Sequence, residues 1–138
     1  MFLHVDVVDR HYRSFNHGRA IEAAMCVLRD ANSFVQSHEP WLLAKSSERD
    51  DRASLDCVLH VGLESARVAA LALSPVTPGL SRRIMERLGS SAMECTRQHM
   101  TPSVAGRRQL GPDRGPLLTR IKPTLTSTSA VAQSRTPV

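Results

Sequence analysis

Aromatic residues make up only 4% of this chain, too few for a core of stacked rings. Leu, Val, Ala and Met must therefore fill the interior, which suits packed helices better than a sheet. Cysteine is nearly as scarce. Cys26, Cys57 and Cys95 lie far apart with no Cys-x-x-Cys, which excludes a disulfide framework and favours a reduced compartment. Cys26 and Cys57 fall on helical patterns and are expected to be buried small hydrophobes, neither having a cationic neighbour and base to activate it. No run of 18 apolar residues occurs, so no membrane span is expected. Gly-x-Gly-x-x-Gly and Gly-x-x-x-x-Gly-Lys are both absent. His4 with His11, or His11 with His17, could approach each other on a helix, but no thiolate pair or His-Glu-x-x-His completes a metal site, and none is expected. Asp6 and Asp9 near the N-terminus do not fit a standard transit or signal peptide.

What is present is enough for one domain with a tail. The 138 residues are 41% apolar, an ordinary share for a globular chain. The net charge of +5 is concentrated in the last third, where residues 91 to 138 carry seven Lys and Arg against two Asp and Glu. Such a segment would attract RNA or another acidic surface through counterion release; a solvated basic tail is the plainer reading. Periodicity locates the helices. Val5, Val8, Tyr12 and Phe15 predict a short amphipathic helix, followed by a break at Asn16-His17-Gly18. Ile21, Ala24, Met25, Leu28, Ala31 and Val35 place a long helix over 19 to 38. Residues 45 to 54 read as a polar loop or frayed helix start. Leu55, Val58, Leu59, Gly62, Leu63, Ala66, Ala70 and Leu73 mark another long helix, closed by Ser74-Pro75, with Gly62, Ala66, Ala69 and Ala70 small enough to let a neighbour approach. Thr77-Pro78 supplies an N-cap and a first-turn proline for a helix ending at Leu88 and Gly89, on which Arg82, Arg83 and Arg87 read as surface charge or phosphate contacts. Residues 90 to 121 are punctuated by Gly and Pro, and 122 to 138 form a Ser/Thr-rich tail expected to be disordered. The expected fold is all-α, an antiparallel bundle of about four helices over residues 1 to 89 with a basic, disordered C-terminal tail.

The stretch from Asn32 to Trp41 is the most informative. Pro40 disfavours helical geometry at Glu39, so the long helix should end near His38. Trp41, the single tryptophan, follows that end; it reads either as a core plug or as a ring held on one side and open on the other. Here a resemblance becomes specific. Asn32, the aromatic Phe34, Pro40-Trp41 and Lys45, followed in order by the His60 to Val68, Ser74 to Pro78 and Ile84 to Gly89 stretches, resemble the helical anticodon-binding domain of methionyl-tRNA synthetases, most nearly the mitochondrial type. The likeness runs from about Asp6 to Gly89, with a weaker echo at Gly106 to Pro112.

The resemblance implies tRNA binding, with Trp41 stacking on an unpaired anticodon base, Pro40 fixing the backbone before it, and Asn32 serving as a base contact or a structural hydrogen bond. It also implies a mitochondrial matrix address, methionine-acceptor tRNA as partner, and neither DNA nor a membrane. His60-Val61-Gly62-Leu63 and Lys45-Ser46-Ser47-Glu48 superficially resemble the synthetase's ATP motifs, but each lacks an essential residue and lies in the wrong context. No cofactor is therefore expected in this chain: ATP and Mg would belong to a catalytic domain outside it, and the chain alone is expected to be inactive in methionine activation. The family's Asn-Leu-x-x-Arg helix has no counterpart here; a bundle without it would expose an apolar groove that favours self-association. The competing reading is a helical protein–protein interaction module without RNA specificity, and an independent enzyme is weaker than either because no nucleophile and base are paired.

Overall fold

In the computed structural model, residues 2–90, 96–101 and 109–119 are described, with side chains from Val5 onward. The expected disorder of 122 to 138 lies outside these residues. Among them are five α-helices, a short 3₁₀ turn and no strand: α1 (Phe2–Arg13), α2 (His17–His38), α3 (Pro40–Leu43), α4 (Arg49–Leu73), α5 (Pro78–Arg87) and the turn Arg97–Met100. The all-α bundle expected from periodicity is the observed architecture. α2 packs on α1 and on α4, which also carries α3, α5 and the 3₁₀ turn, so α4 is the central element.

The first hairpin turns differently from the sequence reading. α1 stops at Arg13, and Phe15 adopts a left-handed φ of 56°. Asn16 N–H donates to His11 O at 2.9 Å and Phe15 N–H to Tyr12 O at 3.0 Å, a Schellman arrangement normally built on glycine. Phe15 is thus 84% exposed and outside the core. His17 and Gly18, read as a break, belong to the first turn of α2, whose N-cap is Asn16: its Oδ1 accepts from Arg19 N–H. One residue in the left-handed region reverses the chain, so Gly18 is not needed for the turn.

The core lies where α1, α2, α4 and α5 meet. Val8, Ala23, Ala24, Ala70, Leu71, Ala72, Met85 and Met100 form its buried cluster, with Val5, Tyr12, Leu73 and Ile84 against it. Small side chains bring the helix axes close: a Cβ on Gly62 would sit 3.4 Å from Val35 Cγ2, so α2 and α4 cross in contact there. Tyr12 Oη donates to Ala72 O at 2.9 Å and ties α1 to α4. The expected apolar face of α4 needs correction. Leu59 and Leu63 are nearly half exposed, whereas Val68 to Ala72 are buried all round because the second half of α4 is wrapped by its neighbours. Cys57, expected inside, is exposed; Cys26 is half-buried, and its Sγ accepts from Arg29 Nη2. Thr77 sits at the N-cap of α5 but makes no capping bond, its hydroxyl donating instead to Leu73 O at 3.2 Å. α5 ends as expected, with Gly89 at φ 69° and Ser90 N–H donating to Met85 O at 2.9 Å.

The chain after α5 is held to the bundle by arginines. Arg67, 2% exposed in mid-α4, pairs with Glu64 at 2.5 Å and donates Nη1 to His99 O at 2.6 Å and Nη2 to Thr101 O at 3.1 Å. Arg97 reaches back to Asp9 on α1 at 3.2 Å. These contacts seat Met100 in the core.

Candidate nucleic-acid interface

The corner singled out in the sequence is built by two opposed local preferences. α2 runs helical through His38, and its last turn is knitted together: Ser37 Oγ donates to Phe34 O at 2.9 Å, His38 Nδ1 lies 2.8 Å from the same oxygen, and the Phe34 and His38 rings stack 4.1 Å apart. Pro40 then forbids continuation. Glu39 takes the left-handed conformation, φ 44°, and Pro40 opens α3 at its first position, where a missing N–H costs nothing. Leu42 N–H donates to Glu39 O at 2.8 Å and Ala44 N–H to Pro40 O at 2.9 Å, completing a single rigid turn that rests on α4.

Trp41 projects from this turn with 46% of its surface exposed, and Leu42 beside it is 51% exposed. The core-plug reading of Trp41 is therefore overturned: a four-residue helix lying on the surface of α4 has no interior to offer a ring of that size. Pro40 is half-buried beneath the turn. Asn32 is exposed on α2, about 9 Å of helix axis before His38. Pro40 and Trp41 are thus brought together in one turn, and Asn32 stands apart on the preceding helix. Among the described residues, no three His, Cys, Asp or Glu side chains gather as a metal site, and no helix is long and apolar enough to cross a membrane.

A second surface lies at the end of α5. Arg87 is partly buried at the end of α5, where Nη2 pairs with Asp113 Oδ1 at 2.6 Å and also donates to Gly115 O. Gly111 N–H donates to Arg87 O at 2.9 Å. Gly89 and Gly111 make this approach possible, since a Cβ on either would collide with the backbone of the other segment. Arg87 is therefore a clamp for residues 109–119, whereas Arg82 and Arg83 remain exposed. Its advance signals were Arg82, Arg83 and Arg87, read as surface charge or phosphate contacts, and the Gly and Pro punctuation of residues 90 to 121.

No protein-family model matches the chain. It is 40% identical over 122 residues to the mitochondrial methionine–tRNA ligase of Bos taurus and 39% identical over 122 residues to that of Homo sapiens, in each case across 83% of this chain and 20% of the relative. The apo form of Mycobacterium tuberculosis methionyl-tRNA synthetase superposes with a TM-score of 0.81 at 28% identity, over 88% of this chain and 24% of that one. The chain is homologous to one part of the methionine–tRNA ligases. It spans about a fifth of the length of the curated relatives it matches. The methionine–tRNA ligase resemblance read from the Pro40-Trp41 landmarks is thus upheld in sequence and in fold.

Proposed function

We propose that this chain is the anticodon-binding portion of a methionine–tRNA ligase and contributes to methionyl-tRNA formation in the mitochondrial matrix, with methionine-acceptor tRNA as its partner. The observation that carries the reading is the exposure of Trp41, 46%, on a turn locked by Pro40 and Glu39. A large apolar ring left open costs hydration free energy, and a rigid mounting lowers the entropy lost when a partner covers it. An unpaired loop base is the partner of matching shape, its π-face stacking on the indole for about 1–3 kcal/mol. Asn32, exposed on the preceding helix, offers an amide to a base edge. The kinship with mitochondrial ligases supports the address. ATP and Mg chemistry is assigned to the remainder of a full-length ligase, so the purified chain should show no methionine-dependent pyrophosphate exchange.

Trp41 is the single tryptophan, which makes its fluorescence a direct reporter. Titration with an RNA hairpin bearing CAU should quench that emission and bind more tightly than a hairpin with a changed anticodon. Trp41→Ala, followed by anisotropy of a dye-labelled hairpin, should weaken CAU binding roughly 5- to 150-fold, the range that one stacked base supports. Equal affinity for both hairpins, or binding indifferent to salt and to Trp41, would instead indicate a helical protein-interaction module.

A further inference from the structure

The clamp formed by Arg87 leaves a half-open cleft of about 460 Å³ between α5 and residues 112–117. Arg83, Glu86 and Arg87 of α5 line it with Ser90, and the segment packed against them contributes Arg114 together with Pro112, Gly115, Pro116 and Leu117. The walls are fixed rather than loose: Asp113 Oδ1 is held by Arg87 at 2.6 Å and by Gly115 N–H at 3.1 Å, and Gly111 is bonded to the end of α5. Arg87 is consequently occupied. Arg114 is not tightly engaged, its Nη1 lying 3.9 Å from Glu86 Oε2 with 79% of the side chain exposed. Arg83 donates Nε to Gly79 O at 3.2 Å and stays exposed.

Two exposed guanidiniums, one from α5 and one from the facing segment, beside proline and leucine side chains fit a ligand that carries both an anionic group and a flat apolar one. The volume lies within the range of small-ligand clefts. We propose that this cleft binds one nucleotide, its phosphate on Arg83 and Arg114 and its base against Pro116 and Leu117. The site shares no residue with the Trp41 corner and stands whether or not Trp41 reads an anticodon. Arg114 exchanges its long contact with Glu86 for the phosphate, and Glu86 opposes the ligand by like charge.

The test is a titration of the full chain with AMP, followed by NMR through the arginine Nε–Hε and Leu117 methyl signals. AMP should shift Arg83, Arg114 and Leu117 together, and inorganic phosphate should bind more weakly and leave Leu117 unmoved. Arg83→Gln with Arg114→Gln, both at exposed positions and checked by circular dichroism, should weaken AMP at least tenfold. Glu86→Gln should tighten it several-fold, a gain that a purely structural role for Glu86 does not predict. Trp41→Ala should leave AMP binding intact, so failure at one surface is separable from failure at the other. The proposal is overturned if AMP binds no better than phosphate, if Leu117 does not respond, or if the double arginine variant binds AMP as well as the parent. Competition between AMP and the hairpin RNA would identify the natural occupant as a nucleotide within an RNA chain, and simultaneous binding would identify it as a free nucleotide; either result upholds the cleft.

Discussion

Arg67 shows how one charged side chain can organise a small bundle. Its guanidinium is almost wholly removed from water, a position tolerated because Glu64 neutralises it and the His99 and Thr101 carbonyls accept from Nη1 and Nη2. Substitution Arg67→Ala would leave the Glu64 carboxylate buried beside two deprived carbonyls. The expected loss is about 3–5 kcal/mol in urea unfolding, with Arg67→Lys intermediate because an ammonium cannot reproduce the planar fork. Tyr12 makes a milder, pH-dependent contribution. Burial raises its phenol pKa above the ordinary 10.0, because the charged form would be poorly solvated where Oη meets Ala72 O. The unfolded chain therefore ionises first. Stability from this group is complete below pH 10 and is lost as pH rises through the higher folded pKa. Tyr12→Phe should cost about 1 kcal/mol at neutral pH and flatten the alkaline decline of the melting temperature measured above pH 10.

At the scale of the helix, hydrophobic period and proline placement made the elements legible, and side-chain environment was the part that escaped. Pro40, Pro75 and Pro78 act through local sterics, so the ends of α2 and α4 and the start of α5 fall within a residue or two of where the prolines place them. The faces of α4 were misread because periodicity presumes one apolar stripe, whereas its second half is enclosed by several elements and can bury Glu64 and Arg67 as well as Ala69. The candidate site divides the same way. The Pro40-Trp41 corner was visible as an ordered local motif, but the α5 cleft depends on Gly89 and Gly111 meeting across more than twenty residues, which no local pattern encodes. The turn after α1 is the clearest mismatch between residue and conformation. Phe15 is held at φ 56° with its ring in water, so it bears the steric cost of the left-handed region, about 1–2 kcal/mol, without burial to offset it. Phe15→Gly should therefore stabilise the protein by about 1 kcal/mol, after allowance for the extra freedom glycine has when unfolded. A rise of several degrees in the calorimetric melting temperature would confirm it; a fall would mean that the edge contact between Phe15 and His17 outweighs the strain.

For the molecule as a whole, charge and shape are arranged separately. Residues 1 to 90 hold eleven Lys and Arg against eleven Asp and Glu, so the bundle that carries Trp41 has no net field to draw in RNA. The surplus belongs to residues 91 to 138, where Arg120, Lys122 and Arg135 follow the clamped segment. This division predicts that attraction and discrimination can be removed independently. A chain ending at residue 119 keeps α1 to α5 and the Arg87 clamp but loses three cations. On single-stranded RNA each neutralised phosphate contributes about 0.7 to the slope of log affinity against log salt, so that slope should become shallower by about 2. On the proposed reading, which places discrimination at Trp41 in the charge-balanced bundle, the affinity ratio between CAU and altered hairpins should not change. Measured at two salt concentrations with the same fluorescence signal, a fall in affinity with the ratio preserved supports the division. Loss of the ratio on truncation would mean that the tail itself reads the anticodon loop and that Trp41 is secondary.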